Sequence, residues 1–234
     1  MSASTICNRI SVFKAFSSWI GKEGMVMQPE SYVQDKNSVK RSYVPTEPKT
    51  WSSQGVSISE KIEAVRKECN RSANALELQH LFGLRTKESC LLKPHSADKG
   101  HYLLIEHGAK GGRMRTVPIE TDAQRALIEQ LKTSIHTGES LVPREKTYYQ
   151  FNKHYYYVLS KHNISRKDGI TAHGLRHEHL NKLYSDVTGH KSTVEGGNLH
   201  NENQTLDSHG RQLVSERAGH SREQIASAYL GGKS

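Results

Sequence analysis

Two histidines, an arginine and a tyrosine stand in fixed order in the last third of the chain: His173-Gly-Leu-Arg176, then Gly219-His220, then Tyr229 nine positions after His220. The chemistry open to that set is attack by a phenol on a phosphodiester. A phenol, with an ordinary pKa of about 10, is a poor nucleophile at neutral pH and needs cations and an imidazole around the phosphate it attacks. Upstream the chain offers further cations, Arg85 in Gly83-Leu-Arg-Thr-Lys-Glu88 and Lys110 in Gly108-Ala-Lys-Gly-Gly112. An arginine fork binds phosphate through two parallel donors and stays charged through turnover. Arg85 and Arg176 would therefore offset the charge growing on a pentavalent phosphorus.

The elements that must position these groups read as mainly helical with one small antiparallel β-hairpin, an α+β arrangement. Ile6, Ile10, Phe13, Phe16 and Ile20 recur at helical spacing over residues 5–20, with Gly21 and Gly24 after them. Residues 28–57 are polar, contain Pro29, Pro45 and Pro48, show no sustained period and read as a linker. Ser57-Ile-Ser-Glu60 has the form of a capping box ahead of Ile62 and Val65. A second helix from about 72 to 82 breaks at Gly83, which puts Arg85 at a helix junction. Residues 101–107 and 113–119 are rich in strand formers and flank the 108–112 turn, with Lys110 at its tip. Helices are expected at 122–136 and 147–162. Another, capped by Thr171, places His173 and Arg176 at i and i+3 on one face. Ser221 and Gln224 form a further capping-box pattern before the stripe of Ile225, Ala226 and Tyr229.

Arg85, Lys110, His173, Arg176, His220 and Tyr229, taken in order, resemble the tyrosine recombinase (phage integrase) family over residues 58–230. Residues 3–26 are more faintly similar to the last helix of that family's core-binding domain. The resemblance implies a remnant of a helical core-binding domain at 1–27, a linker at 28–57 and a catalytic domain of the tyrosine recombinase fold at 58–234. It also implies a site-specific DNA recombinase or integrase acting through a 3′-phosphotyrosyl link. In that scheme Tyr229 is the nucleophile, Arg85, Arg176 and His220 hold the nonbridging oxygens, and His173 assists proton movement. Lys110 would protonate the leaving 5′ oxygen, and Glu88 would hold a neighbouring basic group. Double-stranded DNA, as a dimer or tetramer of this chain, is the implied partner. No cofactor, metal or ATP is implied, and the setting would be cytoplasmic and nucleoid-associated.

Simpler readings stand beside these. Lys110 alone is an ordinary turn lysine, and Tyr148, Tyr149, Tyr155, Tyr156 and Tyr157 suit a half-buried helix face better than base stacking. His177 and His179 raise a zinc site with His173, but there is no H-E-x-x-H and no nearby cysteine. Residues 186–206 form a glycine- and asparagine-rich insert containing a decoy, Gly189-His190, nine residues after which stands Leu199 rather than a tyrosine. Lys and Arg number 33 against 24 Asp and Glu, a formal charge of +9, which suits a polyanionic partner. Cys7, Cys69 and Cys90 lie far apart, which indicates neither a disulfide framework nor a cysteine zinc site. No run approaches the roughly 18 apolar residues of a membrane span, and the N-terminus lacks a signal pattern. The alternative functions are a noncatalytic or defective DNA-binding remnant and a type IB topoisomerase-like activity.

Overall fold

The computed structural model describes residues 1–109, 112 and 114–233. The chain divides into two compact units, Met1–Tyr43 and Val44–Ser234. In the first, α1 (Ala3–Trp19) starts at Ser2, whose hydroxyl accepts from the Thr5 amide at 3.3 Å. Cys7 Sγ donates to the Val39 carbonyl at 3.4 Å and Arg41 Nη2 to Asn8 Oδ1 at 2.9 Å, folding residues up to 41 back onto the helix. Phe13, Phe16, Trp19 and Ile20 of α1 are exposed.

The stretch expected as a 28–57 linker is thus shared between the units, and its second half is packed. Trp51 is fully buried and its Nε1 donates to the Thr171 carbonyl at 2.7 Å. A single indole buries more apolar surface than the surrounding polar run suggests.

The second unit continues through α2 (Ile58–Glu68), α3 (Asn70–Phe82), α4 (Thr86–Leu91) and α5 (Pro94–Ala97). Next come β1 (Tyr102–Ile105) and β2 (Arg115–Pro118), an antiparallel pair in which Leu103 faces Val117 and Ile105 faces Arg115. Helices α6 (Asp122–Ser134), α7 (Tyr148–Lys161) and α8 (Ala172–Thr188) follow, then α9 (Leu199–Glu202), α10 (Gln204–Arg217) and α11 (Ser227–Leu230). The fold is the mainly helical one with a two-stranded sheet that the sequence predicts. Among the described residues no helix is long and apolar enough to cross a membrane.

Two hydrophobic clusters organise this unit. The larger gathers α2 to α7 with the hairpin and the start of α8, through Ala172 and Leu175. The smaller joins Leu180 and Tyr184 of α8 to Leu199, Val214, Ala218, Tyr229 and Leu230. Helix α8 therefore spans both cores, and Arg176 lies at their junction. In α7, Tyr155 is buried with its hydroxyl accepting from Gln79 at 2.9 Å, while Tyr149, Tyr156 and Tyr157 are exposed.

Two local expectations change. Ser57 caps α2 without a side-chain hydrogen bond, so the box with Glu60 is not formed. Ser221 does not cap a helix either. Ser215 Oγ donates to the Arg222 carbonyl at 2.6 Å, holding Arg222 extended, and the chain enters a 3-10 turn at Glu223–Ala226 before α11. The 186–206 insert is largely structured, because Asn203 caps α10 by accepting from the Leu206 amide at 3.1 Å.

Candidate active site

Arg85 occupies the N-cap of α4, in extended backbone between α3 and α4. Its anchor is Glu88, wholly buried. Glu88 Oε1 accepts from Arg85 Nη1 at 2.7 Å and Oε2 from the Arg85 amide at 2.8 Å. Arg115 of β2 completes the group, its Nη2 donating to Glu88 Oε2 at 2.8 Å and its Nη1 to the Arg217 carbonyl at 2.7 Å. Burial alone would raise the pKa of the Glu88 carboxyl; the charges and hydrogen bonds of Arg115 and Arg85 outweigh it and hold the group below its ordinary range.

Arg85 then reaches across to the second core. Its Nη2 donates to the Ala218 carbonyl at 2.8 Å and lies 3.2 Å from His220 Nε2. The same carbonyl accepts from Arg176 Nη2 at 2.7 Å, so one backbone oxygen sits between two guanidinium groups. Gly219 makes this approach feasible: its φ is +75°, and a Cβ there would stand 2.7 Å from Arg115 Cδ.

Arg176 is wholly buried. Its Nε donates to the Tyr229 hydroxyl at 3.1 Å, its Nη1 to the Gly83 carbonyl, and its guanidinium carbon lies 5.4 Å from the Tyr229 ring centre. The Tyr229 side of the site is completed by His173 and His177, whose rings are 6.2 and 5.0 Å from the tyrosine ring. Desolvation, then the charges of Arg176, Arg85 and Lys49, push His173 down to about 4. Desolvation, with His173 and Lys49 next, pushes His177 down to about 3. Both are neutral imidazoles at pH 7, their proton affinity lowered by burial and neighbouring charge. Gly174 lets the Lys49–Trp51 segment close over this helix, since a Cβ there would meet the Lys49 carbonyl at 2.6 Å.

A cleft of about 370 Å³ opens beside these groups, lined by Arg85, Arg115, His220, Ala109 and Met114. Lys110 lies outside the described residues. Its described neighbours Ala109 and Met114, on the segment joining the two strands, line that cleft. His190, by contrast, is exposed, with its amide donating to Thr188 Oγ1 at 3.2 Å. Of the six residues singled out by sequence, Arg85, His173, Arg176, His220 and Tyr229 are brought together.

The phage integrase family model matches residues 54–195. The chain belongs to the phage integrase family. Its fold is that of the tyrosine recombinase catalytic domain. The integrase of transposon Tn1549, solved with circular intermediate DNA, matches over the whole chain and 76% of its own length at 15% identity, with a TM-score of 0.58. A lambda integrase dimer bound to a COC′ core site matches 97% of the chain and 57% of its own length at 18% identity and a TM-score of 0.56. The site-specific recombinase XerH, bound to palindromic difH, matches 99% of the chain and 67% of its own length at 16% identity and a TM-score of 0.52. At these identities the likeness is one of fold. No curated protein matches the chain.

Within this phage integrase domain the matched stretch contains Arg85, Lys110, His173 and Arg176 and ends before His220 and Tyr229. The last two enter the site through their contacts with Arg85 and Arg176. Sequence reasoning missed Arg115, read only as part of a strand, although an arginine opposite the buried Ile105 was a signal of an inward charge. It also passed over Asp207 and Arg211, an i, i+4 pair on α10 that is buried on both sides.

Proposed function

We propose that this chain breaks and rejoins double-stranded DNA through a 3′-phosphotyrosyl intermediate, as a site-specific recombinase. The Tyr229 oxygen forms a bond to the scissile phosphorus and the bond to the 5′ oxygen breaks. The phenol proton is lost to solvent with His173 assisting its movement, and Lys110 supplies a proton to the departing oxygen. Arg85, Arg176 and His220 hold the nonbridging oxygens, where two fixed guanidinium groups stabilise the charge of the transition state. One phosphodiester is exchanged for another, so the bond energy is retained and the 5′ hydroxyl of a second strand can reverse the step. Exchange between two duplexes requires paired subunits.

The observation that supports this reading best is the 3.1 Å hydrogen bond from Arg176 to the Tyr229 hydroxyl, with Arg85 and His220 in contact on the far side of the shared Ala218 carbonyl. That bond fixes the phenol oxygen beside the guanidinium groups that would take the phosphate. Incubation with duplex DNA nicked beside the cleavage position is expected to trap a covalent complex, because the released fragment diffuses away. Tyr229→Phe is expected to trap none. A wild type that binds DNA but never forms the adduct would instead support a noncatalytic binding module. Relaxation of supercoiled DNA without exchange between two sites would support the topoisomerase-like outcome. Adduct formation is expected to survive EDTA; its loss would revive a metal site at His173, His177 and His179.

A further inference from the structure

We propose that α10 and the preceding insert form an intramolecular latch, centred on Arg211, that positions the Tyr229 segment for attack. Arg211 is fully buried, and its donors are directed at the backbone after the tyrosine: Nη1 donates to the Gly231 carbonyl at 3.0 Å and Nη2 to the Gly232 carbonyl at 3.2 Å. Nη2 also donates to Thr193 Oγ1 of the insert at 3.0 Å. The guanidinium is itself held by Asp207, whose two oxygens lie 2.9 Å from Nε. Asp207 is fixed in turn by the Tyr184 hydroxyl, donating at 2.6 Å, and by His200 Nδ1 at 3.0 Å.

The other side of the tyrosine is tied through the same insert. Asn181 Nδ2 donates to the Tyr229 carbonyl at 3.3 Å, and Asn181 Oδ1 accepts from Ser192 Oγ at 2.6 Å. Gly231 then turns back with φ +86°, so close to the insert that a Cβ would meet the Val194 amide nitrogen at 2.8 Å. The carbonyls of residues 229, 231 and 232 are thus each fastened, while the phenol oxygen remains on Arg176. A buried ion pair of this kind is weak evidence for stability as such, since apolar replacements of similar volume often serve as well. Apolar side chains could not hold the Gly231 and Gly232 carbonyls, and that is what Arg211 does. Small misplacements of a reacting group cost rate steeply, about a hundredfold for an ångström. Arg211 is therefore a positioning residue, and its catalytic consequence rests on the phosphotyrosine reading above.

The test uses the full chain with Arg211→Lys, which keeps the charge beside Asp207 but loses the planar fork, and with Gly231→Ala, which leaves the Arg211 and Asp207 side chains unchanged and displaces the segment they hold. Amide exchange over residues 227–232, affinity for nicked DNA and the single-turnover rate of adduct formation are measured together. Both variants are expected to speed exchange in 227–232 and to slow adduct formation by about tenfold or more, with DNA affinity within about twofold of wild type. Unchanged exchange in that segment overturns the latch. So does faster exchange with an unchanged adduct rate, or a fall in DNA affinity and melting temperature that matches the fall in rate. If the wild type itself forms no adduct, the phosphotyrosine reading fails. The exchange data then decide separately whether Arg211 holds the segment, unchanged exchange overturning it and faster exchange supporting it.

Discussion

Two arginine–carboxylate networks flank the site and are put to different uses. Around Glu88, the carboxylate is buried but Arg85 keeps about a fifth of its side chain exposed beside the cleft. Around Asp207, both partners are buried and the arginine's donors go to protein groups. In the proposed reaction the first network would present a held cation to the phosphate, and the second would fasten the chain. Exposure of the guanidinium, rather than the presence of an ion pair, separates a ligand-facing arginine from an internal tie. Arg176 lies between them: it is buried like Arg211, yet one of its donors reaches the hydroxyl of Tyr229, the proposed nucleophile.

The strongest way to break this contrast is at Glu88. Glu88→Leu leaves Arg85 and Arg115 without their shared anion, and the loss of a buried partner is expected to cost about 3–5 kcal/mol in chemical denaturation. A cost below about 1 kcal/mol would show that Glu88 does not anchor the pair. Arg85→Lys is next. Adduct formation is expected to fall about 10²–10³-fold, with stability near wild type, because the planar fork facing the cleft is lost. Equal damage to melting temperature would place Arg85 with Arg211 as a structural tie.

A pH-dependent effect follows from the histidines of α8. Desolvation first, then nearby charge, pushes His177 to about 3 and His179 to about 3, below the unfolded value of 6.5. Between pH 6.5 and about 3 the unfolded chain binds more protons than the native one, so stability falls as pH falls through that window. The slope is at most about 1.4 kcal/mol per pH unit for each histidine, measured as the denaturation midpoint at stepped pH. A flat profile across that window would mean these rings are solvated. Smallest of all is His190→Ala, expected to change stability by no more than about 0.5 kcal/mol and adduct formation not at all. His220→Ala is expected to impair adduct formation clearly, and the reverse ranking would transfer its role to His190.

The half of the site built on Arg85 and Arg176 was legible because its signals are local. A helix break at Gly83, a glycine-bearing hairpin and an i, i+3 pair each occupy a few residues and have direct geometric meaning. Glu88 was legible as a holder of basic groups, but not as the partner of two arginines, since Arg115 reaches it from a strand 27 positions away. The second half was hidden for a different reason. The 186–206 stretch has the composition of a loop, and its order comes from Asn203 capping α10 and from Ser192 and Thr193 bonding to distant side chains. The packing of Trp51 on Thr171 is likewise a contact across 120 positions that no local pattern announces. Spacing from His220 did single out Tyr229, and the structure adds that its hydroxyl rests on a buried arginine.

That placement can be tested at the atom concerned. Wild-type protein trapped on nicked duplex DNA, digested with protease and nuclease and read by mass spectrometry, is expected to carry a residual nucleotide on the peptide containing Tyr229, linked through its phenol. A nucleotide on any other residue, or an adduct that persists in Tyr229→Phe, would contradict the account.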